Sequence, residues 1–129
     1  MVHALAKHII VEFYNCNPQI IGDVVLIQQH VEGAITFSTS SIEESFFQPT
    51  PENGANGTVI TADIRVSIHT WPSHSYAAVD IFTPSNTIDP WLAYDYLKER
   101  LEAQYDSATE LRRGQIKVGQ GSPFQRSFL

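Results

Sequence analysis

Residues 60–83 read ITADIRVSIHTWPSHSYAAVDIFT, and the alternation within them decides the fold. Ile64, Val66 and Ile68 fall on one face of an extended chain, while Asp63, Arg65, Ser67 and His69 fall on the other. That period of two predicts a strand over residues 58–69 with one apolar and one polar side. Trp71-Pro72-Ser73-His74-Ser75 then reads as a turn, and residues 76–82 return as a largely buried strand.

Upstream, residues 3–14 are rich in Ile, Val, Phe and Tyr and read as another strand. Asn17-Pro18 supplies a helix cap followed by proline at the first helical position. Ile20, Val24, Ile27 and Val31 continue at helical spacing, giving an amphipathic helix of about 14 residues that Gly33 is expected to stop. Residues 34–47 read as a second strand and residues 50–57, TPENGANG, as a turn-rich loop. Downstream, Asp89-Pro90 repeats the cap-plus-proline signal and opens a helix to about Gln104, with Trp91, Tyr94, Leu97 and Leu101 as its buried stripe. A last strand is expected within residues 108–118, and residues 119–129 read as a Gly-rich flexible tail.

The resulting order, β-α-β-β-β-α-β, predicts one α+β domain over residues 1–129. It is a two-layer sandwich, a mostly antiparallel sheet with two helices on one face. So short a chain has nothing of its own to cover the second sheet face. Packing that face against a second copy is the economical solution and predicts a symmetric homodimer.

Composition narrows the function classes. A hydrophobic content of 43% over 129 residues supports one real core. The formal charge of −6 disfavours nucleic acid and anionic membrane surfaces as partners, and no basic cluster exceeds Arg112-Arg113. Cys16 is the single cysteine and cannot form an internal disulfide, which fits a cytoplasmic protein. The amino-terminal MVHALAKHIIVEF lacks the apolar core of a signal peptide, and no apolar run approaches the roughly 20 residues that span a bilayer.

Several motifs together resemble the bacterial-type S-adenosylmethionine decarboxylase proenzymes. They are the strand Lys7-His8-Ile9-Ile10-Val11-Glu12-Phe13-Tyr14, the turn Ile68-His69-Thr70-Trp71-Pro72, the strand beginning Tyr76-Ala77-Ala78-Val79-Asp80, and Asp89-Pro90-Trp91. In that family a Glu-Ser bond upstream of the histidine breaks itself. The serine hydroxyl attacks the preceding carbonyl to form an ester, and elimination and hydrolysis leave a pyruvoyl group. The pyruvoyl carbonyl then takes the substrate amine as a Schiff base and accepts the electrons released with CO2.

The resemblance implies a role for each matching position, and this chain departs at four of them. The scissile pair is Asp63-Ile64, so the pyruvoyl-forming serine is replaced by an isoleucine with no nucleophile. The family's catalytic acid cysteine falls at Pro84, and its ribose-holding glutamate at Ser73. A family serine tied to processing aligns with Asn56. His69, the processing histidine, is retained. Phe47, as an aromatic for stacking on adenine, joins Ser73 and Glu12 as implied substrate-binding positions.

The expectation is therefore an unprocessed, catalytically impaired member of the family in polyamine (spermidine) biosynthesis, carrying no pyruvoyl cofactor. Its role would be regulatory or binding, as a homodimer or as a heterodimer with an active paralogue. Two alternatives stand beside it: an active pyruvoyl-dependent decarboxylase using an offset cleavage residue, and a binding module for a nucleoside or an amine. Thr61 and Ser67 are the offset candidates, each three residues, about 10 Å of extended chain, from the scissile position. Ser67 with His69 lacks a third group for a serine nucleophile. His69, His74 and Asp80 lack a recognised metal-ligand spacing, so no metal is expected.

Overall fold

A computed structural model describes residues 2–38 and 41–117. Strand β1 (Val2–Tyr14) leads into two helices, α1 (Pro18–Ile21) and α2 (Val24–Ser38). Four strands follow: β2 (Glu44–Pro49), β3 (Ala55–Ile60), β4 (Arg65–Trp71) and β5 (Tyr76–Thr83). Helix α3 (Pro90–Arg100) and strand β6 (Tyr105–Lys117) complete the fold. The strands form one sheet in the order β2-β3-β4-β5-β1-β6, with every neighbouring pair antiparallel. The α+β sandwich with helices on one sheet face is the predicted architecture. The expected tail from residue 119, like Val118, lies outside the described residues.

Several local expectations are corrected. The strand expected over residues 58–69 is two strands, because residues 61–64 form a tight turn. The Thr61 N–H donates to the Ile64 carbonyl at 2.9 Å, and the Thr61 hydroxyl oxygen accepts from the amides of Asp63 and Ile64 at 3.0 and 2.9 Å. A threonine side chain thus replaces the Gly, Pro or Asn that usually marks a turn. The sheet gains a strand, giving six where five were expected. The turn loop is also shorter than expected, because β3 already begins at Ala55.

The first helix is divided at Gly22-Asp23. Asn17 caps α1 by accepting from the Gln19 amide at 2.9 Å, while Asp23 starts α2 by accepting from Val25 and Leu26, each at 3.1 Å. Gly33 does not stop α2, which continues to Ser38, so residues 34–38 are helix and β2 begins only at Glu44. The cause is packing. Tyr96 of α3 lies across Gly33, and a Cβ there would come within 2.3 Å of its hydroxyl oxygen. Ala34 and Ile35 then extend the buried stripe of Ile27 and Val31. Helix α3 opens on its Asp89 cap as expected but ends at Arg100, short of Gln104.

The core lies between the helices and the inward side of the sheet. Ile9, Val11 and Phe13 of β1, Val66 and Ile68 of β4, and Ala77, Val79 and Ile81 of β5 meet Ile27, Val31 and Ile35 of α2 and Ala93, Tyr94 and Leu97 of α3. The alternate positions carry a different population. His8, Ile10, Glu12 and Tyr14 of β1, Arg65, Ser67, His69 and Trp71 of β4, and Tyr76, Ala78, Asp80 and Phe82 of β5 point to the side without helices.

Candidate functional site

The scissile position lies at one end of the β4–β5 ladder. Arg65 pairs with Phe82, so the Asp63–Ile64 bond in the preceding turn sits beside Thr83-Pro84. The fold therefore brings together the positions matching the missing serine and the missing acid cysteine. The Thr87 hydroxyl donates to Asp63 Oδ1 at 3.5 Å across this junction. Ile64 is 0% exposed and belongs to the core. Thr83 is also fully buried, and its hydroxyl lacks a hydrogen-bond partner among the described residues. Thr61, an offset candidate, has its hydroxyl engaged in the turn, where it donates to the Ile64 carbonyl at 3.1 Å.

His69 faces the other way. An odd separation along a strand reverses the side, so His69 occupies the open face while Ile64 is in the core, about 17 Å away along the chain. Within one chain His69 cannot reach the bond at residues 63–64. Its neighbours are instead Asn56, its partner in the β3–β4 register, and Trp71, with ring centroids 6.0 Å apart.

His69 and Trp71 begin a row of aromatic rings across β4, β5 and β1. Trp71 stacks on Tyr76 at 5.3 Å, and Tyr76 on Tyr14 at 5.5 Å, both inclined by 27°. The Tyr76 hydroxyl donates to the Glu12 carboxylate. Burial raises the Tyr76 pKa above the usual phenol range, and the adjacent Glu12 raises it further, so Tyr76 stays a donor. Ala78 pairs with both His69 and Glu12, leaving low floor between them. Glu12, Tyr14, Trp71, His74 and Tyr76 line a hollow of about 430 Å³. On the far side of Trp71, His69 and Trp71 line a second hollow of about 290 Å³ with Thr50, Pro51, Glu52 and Thr70.

The remaining sequence-predicted positions are dispersed. Phe47 lies on the helix side of β2, its ring over Gly57, where a Cβ would come within 2.0 Å of Phe47 Cδ2. It therefore does not share a face with His69 or Glu12. Ser73 is exposed in the 3-10 turn of Pro72–His74. Among the described residues no group of three or more His, Cys, Asp or Glu could hold a metal ion. Also among them, no helix is long and apolar enough to cross a membrane.

Sequence reasoning missed the aromatic row. Its members share a strand parity, but the cross-strand register that stacks Tyr14, Tyr76 and Trp71 is not encoded in any local motif.

Comparison with known proteins places these features in a family. A family model described as S-adenosylmethionine decarboxylase matches residues 7–114. The S-adenosylmethionine decarboxylase proenzyme of Thermosipho africanus is 37% identical over 123 residues, covering 93% of this chain and 95% of that protein. The corresponding proenzyme of Caldicellulosiruptor saccharolyticus is 39% identical over 114 residues, covering 88% and 91%. The crystal structure of adenosylmethionine decarboxylase from Aquifex aeolicus superposes with a TM-score of 0.83 at 28% identity, covering 93% of this chain and 99% of that one. Motif, fold and overall sequence agree, and the chain belongs to the bacterial-type S-adenosylmethionine decarboxylase family.

Proposed function

We propose that this chain is an unprocessed, catalytically impaired member of the family that acts in polyamine (spermidine) biosynthesis as a regulatory or binding subunit. The observation that carries this reading is Ile64. A pyruvoyl group would have to be made from the residue at that position, which has no hydroxyl and whose side chain is sealed in the core. The residues present do not fit the cofactor. Pro84 supports the same reading, since it carries no transferable proton where the resemblance implies an acid.

The open sheet face supports a dimeric role. Ile10, Tyr14, Phe46, Trp71, Tyr105 and Leu111 lie there with 37–66% of their surface exposed, an apolar population that a second layer would cover. A homodimer satisfies that need, and so does a heterodimer with an active paralogue of the same fold. The lone, buried Cys16 fits action in the cytoplasm.

The test is turnover. Purified protein incubated with carboxyl-labelled S-adenosylmethionine is expected to release no labelled CO2 above the boiled control and to trap no adduct with borohydride. Release together with a trapped Schiff base would establish an active decarboxylase and remove this reading.

A further inference from the structure

We propose that the helix side of the sheet carries a binding site for a phosphate monoester, built from Lys7 of β1, Arg112 of β6 and Asn86 of the β5–α3 connection. With His3 and Ala4 these residues line a hollow of about 250 Å³. Strand parity fixes the side. Lys7 alternates in step with Ile9, Val11 and Phe13, which are sealed beneath the helices. Arg112 is its cross-strand partner, and Glu110, two residues earlier on the same side of β6, accepts from Trp91 Nε1 of α3 at 3.2 Å. The hollow therefore lies across the sheet from the face that a second copy would cover.

Its shape comes from the unequal lengths of the strands. Strand β5 stops pairing with β1 at Lys7–Thr83, whereas β6 follows β1 on to Val2–Lys117. Residues 2–6 and 113–117 thus form a two-stranded ribbon beyond the end of β5. The ladder lapses between Ala4–Gln115 and Ala6–Arg113, where Gly114 takes a φ of 66° that favours glycine. The chain leaving β5 brings Asn86 into the corner between ribbon and sheet.

The charge in that corner is unbalanced. Lys7 and Arg112 stand directly opposite each other, which places their Cβ atoms about 4.5–5.5 Å apart. Like charges so placed destabilise a sheet. The chain has 14 Asp and Glu against 8 Lys and Arg, yet no carboxylate lines the hollow. The ion pairs among the described residues are His8–Asp80 and Lys98–Asp106, so neither Lys7 nor Arg112 belongs to one. A bound anion would supply the missing counter-charge.

Two cations are matched by a ligand carrying close to two negative charges. A phosphate monoester carries about −1.5 to −2 near neutral pH, and its oxygens accept from a guanidinium fork, an ammonium and an amide. A single carboxylate matches half that charge.

The experiment is calorimetric titration of the full chain with inorganic phosphate and, separately, with acetate, at constant ionic strength held with chloride. Saturable phosphate binding is expected, with acetate weaker by about tenfold or more. Lys7→Met, which keeps the aliphatic stem, and Arg112→Gln should each weaken phosphate binding by about tenfold or more. Arg113→Gln removes the same charge from the adjacent residue and should leave phosphate binding unchanged. The Arg113 side chain lies on the open face, donating to His8 Nδ1 at 3.1 Å, while His8 Nε2 meets Asp80 Oδ1 at 3.1 Å. In urea denaturation without phosphate, Lys7→Met and Arg112→Gln should be at least as stable as the parent chain, because each removes the repulsion. Phosphate should then stabilise the parent and not these two variants. The site is overturned by absence of saturable phosphate binding, by acetate binding as tightly, or by an equal loss in Arg113→Gln. Lower stability of Lys7→Met and Arg112→Gln in phosphate-free solution would overturn it as well, since the two cations would then not be opposed without a counter-charge.

Discussion

The two faces of the sheet have diverged in opposite ways. On the helix side, alternate residues of β1, β4 and β5 are apolar and sealed, and the position matching the self-cleaving serine has become one more core residue, Ile64. On the open side the same strands carry His8, Glu12, Arg65, His69, Asp80, Trp71 and Tyr76, an arrangement rich in charge and aromatic surface. The position that the resemblance assigns to self-cleavage lies on the face where an apolar side chain stabilises the fold, and the polar constellation lies on the face where it does not. Retained residues on the open face therefore cannot be read as retained catalysis.

Paired substitutions on β1 test that contrast most strongly. Phe13 is fully buried and stacks on Tyr94 at 5.7 Å, so Phe13→Ala is expected to cost about 3–5 kcal/mol in urea denaturation. Ile10, on the open face and 38% exposed, should cost less than about 1 kcal/mol when truncated in the isolated chain. Its loss should instead raise the dissociation constant of any dimer, read by sedimentation at falling concentration. Equal effects on unfolding would erase the distinction between the faces.

The helix layer offers a smaller effect with an unexpected sign. By propensity alone Gly33→Ala should stabilise α2 by about 1 kcal/mol. Because Tyr96 occupies the space of the missing Cβ, the substitution is expected to destabilise by about 1–3 kcal/mol. Tyr96→Phe removes the closest atom and should recover part of that loss. Stabilisation by Gly33→Ala alone would show that the helices separate freely.

The mildest expected effect is a pH dependence. His30 on α2 titrates below the ordinary histidine value, chiefly because burial disfavours its charged form and then because Arg100 repels it. With its folded pKa depressed, the unfolded chain takes up the proton first as pH falls through 6.5. His30 should therefore contribute stability above that pH that is lost on acidification. His30→Gln should flatten the slope of stability against pH below 6.5, and an unchanged slope would assign it to other groups.

Legibility in the sequence followed the range of the interactions involved. Strand parity around His69, the two Pro-initiated helices and the one-sided sheet could be read because each depends on neighbours within a few residues. The turn at residues 61–64 was hidden because a threonine hydroxyl closes it, with no Gly, Pro or Asn to mark it. Gly33 misled because its reason is Tyr96, on another helix. The candidate site divided in the same way: His69, Ile64 and Pro84 were legible by resemblance, whereas the relay from Arg113 through His8 to Asp80 joins residues 105 and 72 positions apart. No single-strand pattern encodes such a contact.

The bond between Asp63 and Ile64 is expected to stay intact. Intact-protein mass spectrometry of freshly purified and aged protein tests it directly. One species at the 14.5 kDa of the whole chain is expected. Two fragments meeting near residue 63, the carboxyl-terminal one beginning with a carbonyl-blocked residue, would contradict it.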